Sequence, residues 1–190
     1  MKIVLNIGSG PHNPARMHPF FRDGTAWRQL RVDIDPYVEP DIVASAVDLS
    51  AFASGSVDAV WSSHHLEHLY EHEAAQALSE FRRVLRPNGF ALLTMPDLTA
   101  VAELVAQGRA DEIAYRSPAG PVTAMDMLYG FRPALRAGRV YMAHRTGYTA
   151  DRLYCALEEA GFPRAQVRSG DRYDLWAAAF MEDTTIEVRL

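Results

Sequence analysis

Two groups of residues in this chain could do chemistry. The first is a glycine turn with an acid some way beyond it. Gly8-Ser9-Gly10 ends the apolar run Ile3-Val4-Leu5-Asn6-Ile7, and Asp33 follows 25 residues after Gly8. Glycines in such a turn let the backbone approach a ligand with no Cβ in the way. A carboxylate closing the next strand can accept both hydroxyls of a ribose. A dinucleotide site would need a third small residue and a helix start facing the pyrophosphate. Here position 13 is Asn, and Pro11 and Pro14 interrupt the loop. The pair therefore points to a nucleoside ligand without phosphates, although a lone G-x-G is also what any tight strand exit looks like.

The second group is histidine. Four of the seven, His64, His65, His68 and His72, fall within nine residues, and His64-x-x-Glu67-His68 matches the inverted zinc-protease pattern. On a helix His64 and His68 would share a face, as a metal requires. No metal is assigned, because the pattern follows directly on a buried strand and everything upstream reads as nucleoside binding. The plainer expectation places His68 and His72 at a partly exposed helix start, with Glu67 favoured there by the helix dipole. His64 and His144 are the candidate catalytic residues: an imidazole titrating near pH ~6.5 can take a proton from an attacking hydroxyl or amine. For His64, packing or a simple hydrogen bond is the competing role.

These residues need a scaffold, and the patterns along the chain supply one. Strands are expected at 3–7, 30–34, 42–47, 57–61 and 90–95. A helix over 71–86 carries Ala74, Leu78, Phe81 and Leu85 on one stripe. Pro87-Asn88-Gly89 ends it, and Arg82, Arg83 and Arg86 read as helix surface. Thr149 caps a helix running to Ala160, with Gly161 just beyond, and two last strands lie near 165–168 and 173–180. Strands alternating with helices mean an α/β sheet with right-handed crossovers.

The remaining stretch, about 97–148, is an insertion expected to supply most acceptor contacts. From Met127 to Ala150 there is no Asp or Glu, while Arg132, Arg136, Arg139 and Arg145 alternate with Tyr129, Phe131, Tyr141 and Tyr148. Aromatics can stack on a flat acceptor and Arg can clamp an acidic group. Tyr129, Arg136, Tyr141 and Arg145 are accordingly the candidate substrate contacts; a solvated basic face over core aromatics is the competing explanation.

Composition bounds the rest. With 190 residues there is room for one domain, and a net charge of −5 argues against a general nucleic-acid binder. Arg outnumbers Lys eighteen to one, and the single cysteine, Cys155, has no intramolecular partner. No apolar run approaches the roughly 20 residues of a membrane span, and the residues before Gly8 are too few for a secretory core. The expected location is the cytoplasm.

Taken in order, several segments resemble the motifs of class I S-adenosylmethionine-dependent methyltransferases, of the small bacterial "methyltransferase type 11" kind. They are Leu5-Asn6-Ile7-Gly8-Ser9-Gly10, Val32-Asp33-Ile34-Asp35-Pro36, Asp48-Leu49, Ser56-Val57-Asp58-Ala59-Val60-Trp61, Leu66-Glu67-His68-Leu69 and Arg83-Val84-Leu85-Arg86-Pro87-Asn88-Gly89. His144-Arg145-Thr146-Gly147-Tyr148-Thr149 and Leu157-Glu158-Glu159-Ala160-Gly161-Phe162 look like that family's approach to its last strands.

The resemblance implies a Rossmann-like, seven-stranded, mostly parallel sheet of order 3-2-1-4-5-7-6, strand 7 antiparallel, with helices on both faces. It implies S-adenosyl-L-methionine as cofactor. Asn6, Gly8, Ser9 and Gly10 would lie along its methionine part, Asp33 on the ribose, Ile34 against the adenine, and Asp48 with Leu49 at the adenine edge. Ser62, Ser63 and His64 would border the methyl group. Asn6 departs from the acid often found at its position. The helix expected between the first two strands must be short or irregular, and the next one is essentially missing. The expected activity is methyl transfer to an oxygen or nitrogen of a small acceptor, anionic or aromatic, with no nucleic acid or membrane partner. A homodimer that closes the site is the alternative to a small acceptor. The competing functions are a nicotinamide-dependent oxidoreductase and a degenerate cofactor-binding subunit.

Overall fold

In the computed structural model, described for residues 1–188 and 190, the chain forms one seven-stranded sheet and a separate two-stranded hairpin. The strands are β1 (Lys2–Ile7), β2 (Trp27–Asp33), β3 (Ile42–Val43), β4 (Val57–Ser63), β5 (Leu85–Pro96), the hairpin β6 (Ile113–Ser117) and β7 (Gly120–Thr123), β8 (Arg164–Ser169) and β9 (Asp174–Phe180). The helices are α1 (Glu71–Val84), α2 (Leu98–Ala106), α3 (Ala124–Tyr129), α4 (Arg132–Arg136) and α5 (Ala150–Glu159). The large sheet runs β3-β2-β1-β4-β5-β9-β8, with β9 antiparallel to both neighbours. With the hairpin set aside, this is the order 3-2-1-4-5-7-6.

One face of the sheet is covered as a parallel sheet should be. Ala74, Ala77, Leu78, Phe81 and Val84 of α1 are fully buried and share a core with Leu153 and Leu157 of α5 and with Leu5, Ile7 and Val60 from the strands. Thr149 caps α5 by accepting from the Arg152 N–H, and Gly161 follows with φ 89°. The opposite face is covered differently. Two single-turn 3-10 helices, Pro14–Arg16 and Pro19–Phe21, replace a full helix between β1 and β2. They lay Phe20 and Phe21 against Trp27 and Phe90, with Phe21 and Trp27 edge to face at 5.0 Å. Aromatic area thus does the work of a helix there.

Three local expectations change. β3 has two residues, because the chain turns at Ser45, whose carbonyl accepts from the Asp48 N–H at 3.0 Å, and Leu49 enters the core. β5 begins at Leu85 and bulges through Pro87-Asn88-Gly89, so that turn lies inside a strand. Arg82, Arg83 and Arg86 are tethers rather than plain helix surface. Arg82 reaches the Gly161 carbonyl, Arg83 the carbonyls of Leu49 and Phe52, and Arg86 the Asp58 carboxylate. The insertion holds a hairpin as well as helices, with its own small core of Val101, Leu104, Val122, Ala124 and Met127. Among the described residues no helix is long and apolar enough to cross a membrane.

Candidate functional site

The register of the central strands gathers the candidate residues at one edge. Ile7 lies opposite Val32 on one side and Ser62 on the other, so the turn after β1 emerges between Asp33 and Ser63. Gly8 and Gly10 have φ of 65° and 59°, and a Cβ on Gly8 would sit 2.2 Å from the His65 ring. Only glycine fits there. The Gly10 N–H donates to Asp33 Oδ2 at 2.8 Å, and the Asp35 N–H to Oδ1 at 3.0 Å. A carboxylate has about four lone-pair sites, so two remain for ribose hydroxyls. Ile34 beside it is 53% exposed, an apolar platform at the mouth of the sheet. Asn6 and Ser9 are buried along the same turn. Ser62 is buried with an Oγ that has no hydrogen-bond partner among the described residues.

The adenine-edge pair is less open. Asp48 is exposed, and the Ser50 hydroxyl, with the Ser50 N–H that donates to it at 3.0 Å, holds its carboxyl below the usual range. Leu49 is wholly buried and its N–H donates to Glu80 Oε2, so its side chain belongs to the core. With that exception, the acceptor and the surfaces a nucleoside needs stand together: a half-buried carboxylate, two Cβ-free residues and an exposed apolar side chain.

Beyond β4 the chain does not enter a helix. His64 has φ 49°, Leu66–His68 form a 3-10 turn, and α1 begins only at Glu71. His64 and His68 therefore do not share a helix face. His72 is exposed on the first turn of α1, whereas His68 points inward. Its Nδ1 lies 3.2 Å from the Ala143 carbonyl, and its ring is 4.8 Å from that of His144. The His144 Nδ1 in turn lies 2.7 Å from the Met127 carbonyl. Between these rings sits Glu67, 2% exposed. His64 Nδ1 approaches Glu67 Oε1 to 3.3 Å, but neither carboxylate oxygen has a well-formed hydrogen bond among the described residues.

Charge and burial compete in this cluster. Burial alone would raise the Glu67 carboxyl, but the His64 contact and the imidazoles of His68 and His144 hold it below its ordinary range. For His64, whose ring is half exposed, the lowering by desolvation is outweighed by the Glu67 carboxylate beside it, leaving the imidazole above its ordinary value. His65, buried against Gly8, is pushed down to about 4 by desolvation. His144 is lowered for the same reason.

A cavity of about 160 Å³ opens beside the cluster. Its wall includes Met95, Leu98 and Val101 from β5 and α2, Met127 and Tyr129 from α3, and Tyr148, with Glu67 and His144 among its few polar groups. The segment that carries His144 is held over the strand ends by the Leu98 N–H, which donates to the Tyr148 carbonyl at 2.9 Å. Of the candidate substrate contacts, Tyr129 and Arg145 line the cavity; Arg136 and Tyr141 are exposed and do not. The Arg145 guanidinium lies over the Tyr70 ring at 4.8 Å, with Glu73 at 4.0 Å. Arg132 is bound to Asp126. His144, which comes close to Glu67 and His68, lies outside the H-x-x-E-H spacing, so that spacing gave no signal for this cluster.

Residues 5–93, which carry the glycine turn, Asp33 and the end of β4, match a family model described as a methyltransferase domain. The chain has the class I methyltransferase fold. A methyltransferase dependent on S-adenosylmethionine from Archaeoglobus fulgidus superposes with a TM-score of 0.62 at 14% identity, over 94% of this chain and 86% of that one. A similar methyltransferase from Aquifex aeolicus gives 0.58 at 14% identity, over 95% and 82%. A Pyrococcus horikoshii protein gives 0.60 at 15% identity, over 94% and 82%. At such identities these likenesses speak for the fold alone. No curated protein matches the sequence. The glycine turn and Asp33 stand at the carboxyl ends of β1 and β2, and the cavity lies past the end of β5.

Proposed function

We propose that this chain is an S-adenosyl-L-methionine-dependent methyltransferase acting on an oxygen or nitrogen of a small, largely apolar acceptor. The observation that carries the reading is the cavity of about 160 Å³ at the carboxyl end of β5, bordered by Glu67 of the segment after β4, at the same end of the sheet as the glycine turn. An apolar cavity of about 150 Å³ takes one benzene ring, so a single-ring acceptor suits the size. Arg145 is the one cation in the described wall, available to an acidic substituent.

The cofactor supplies a methyl group already activated on a sulfonium, so alignment of the acceptor does most of the catalysis. Gly8, Ser9 and Gly10 present backbone to its methionine part, Asp33 accepts from the ribose, and Ile34 covers one face of the adenine. Asp48 serves the adenine edge. Ser62 and Ser63 shape the floor near the reacting group. His64 is the proton acceptor through Nε2, its Nδ1 facing Glu67 Oε1 at 3.3 Å. Met95, Leu98, Met127 and Tyr148 exclude water from the acceptor.

The test is calorimetry with S-adenosyl-L-methionine and, separately, NAD, on the wild-type chain and on Asp33→Ala. Binding of the first alone, weakened at least about tenfold by the substitution, is expected from a charge-assisted ribose contact. Binding of NAD instead, or full affinity in Asp33→Ala, overturns the reading. Incubation with a metabolite extract and labelled cofactor should then give a product heavier by one methyl; cofactor binding with no product over a broad panel indicates a non-catalytic subunit.

A further inference from the structure

We propose that Glu67, His68 and His144 bind a divalent transition-metal ion in the wall of the acceptor cavity. One ligand atom from each lies within 4.8 Å of the others, and Glu67 is buried while the two histidines are half-buried. The set differs from the one the sequence spacing suggests: His64 is replaced by a histidine 77 residues beyond Glu67.

The argument rests on what the three groups lack. Nδ1 of His68 and Nδ1 of His144 each face a backbone carbonyl, which fixes these nitrogens as the protonated ones in the neutral rings. The free lone pair of each ring is then on Nε2, and the third member is a carboxylate. No hydrogen bond joins the carboxylate to either ring among the described residues. His64 offers one N–H, at 3.3 Å and only to Oε1, so Oε2 has no partner among the described residues. A buried carboxylate left this way is costly, and a cation bound by all three groups removes the cost. A backbone carbonyl on the second nitrogen of each ring is also the usual outer contact of a metal-bound histidine. Two imidazoles and a carboxylate suit zinc, iron, cobalt or manganese rather than calcium or magnesium.

Three protein ligands leave coordination positions open, and Glu67 and His144 are both in the cavity wall, so the open side belongs to the acceptor. An acceptor with a hydroxyl or amine could ligate there. That consequence rests on the methyltransferase reading; the binding itself does not. A four-coordinate ion with ligands at about 2.1 Å spaces them about 3.4 Å apart, so the cluster closes by roughly an ångström on loading.

The experiment uses the full chain after chelator dialysis, titrated with Zn²⁺ by calorimetry and with Co²⁺ by visible absorption. One equivalent should bind, with four- or five-coordinate cobalt bands and a raised thermal midpoint. Glu67→Gln, His68→Ala and His144→Ala should each weaken Zn²⁺ binding at least about tenfold, while His72→Ala, an exposed histidine nearby, should not. Circular dichroism checks folding; if His144→Ala does not fold, His68→Asn and Glu67→Gln carry the test. No stoichiometric binding, or equal affinity in the ligand variants and wild type, overturns the proposal and leaves a protonated histidine as the neutralising group. Asp33→Ala should keep full metal affinity, so loss of cofactor binding and loss of metal binding are read separately.

Discussion

Gly8 and His65 are in direct contact: a Cβ on Gly8 would stand 2.2 Å from His65 Cδ2 and 3.0 Å from its Cβ. The contact sets the turn after β1 against the turn after β4, the two segments that border the cofactor in the proposed function. Gly8→Ala must therefore displace the His65 ring and accept a φ of 65°. Strain and overpacking together should cost about 2–4 kcal/mol. The expected outcome is a lowered urea midpoint and at least tenfold weaker cofactor binding. A wild-type midpoint with wild-type binding would show that the turn is not held by this contact.

Leu98 stands at the start of α2 in the cavity wall, half-buried and next to the segment carrying Tyr148. Leu98→Trp places an indole in a space of about 160 Å³. Cofactor affinity should stay within about twofold while kcat/KM for the acceptor falls at least about tenfold, since alignment is lost. Equal loss of both quantities would mean that the cavity is not a separate acceptor site.

Arg83 ties α1 to the loop after β3. Its guanidinium donates to the carbonyls of Leu49 and Phe52 at 3.0 Å and to both oxygens of Glu80, which itself accepts from the Leu49 N–H at 2.8 Å. Arg83→Ala should destabilise the fold by about 1–3 kcal/mol. Arg83→Lys should recover little, because an ammonium cannot reproduce the planar fork. Denaturant unfolding of both variants measures this, and rescue by lysine would show that charge rather than geometry matters.

Asp126 caps α3 together with Thr123 and receives the N–H and Nε of Arg132 at 3.1 and 3.0 Å. Burial raises its carboxyl, but the hydrogen bonds from Arg132 and Thr123 prevail and lower it to about 2 from an ordinary value of 3.8. A depressed folded-state value means that the unfolded chain binds the proton first. The stabilisation is therefore full above about pH 4 and lost as pH falls towards about 2; it amounts to about 2 kcal/mol. The stability difference between wild type and Asp126→Asn should be constant above pH 5 and shrink below pH 4. A difference independent of pH down to 2 would assign the cap's contribution to shape alone.

The parts of the molecule that obey local rules were legible from the chain. The strand ending at Gly8, the stripe on α1, the cap at Thr149 and the apolar run of β5 follow from period and turn chemistry. The sheet order came with the resemblance, whose motifs lie at the strand ends. Arg136 and Tyr141 show the opposite limit: a run of cations and aromatics gives types but not directions, and both side chains face solvent.

What only tertiary structure decided is contact across long separations. Sequence alone put Gly8 and Asp33 at adjacent strand ends, because parallel neighbours align such turns. It could not bring His144 to Glu67 and His68, since that meeting depends on how the insertion folds back over the strand ends. Nor could it show that aromatic rings close the face between β1 and β2, where proline forbids a long helix but dictates no replacement. Periodicity reports burial of an element's own face; which distant side chains share a buried space is settled by packing.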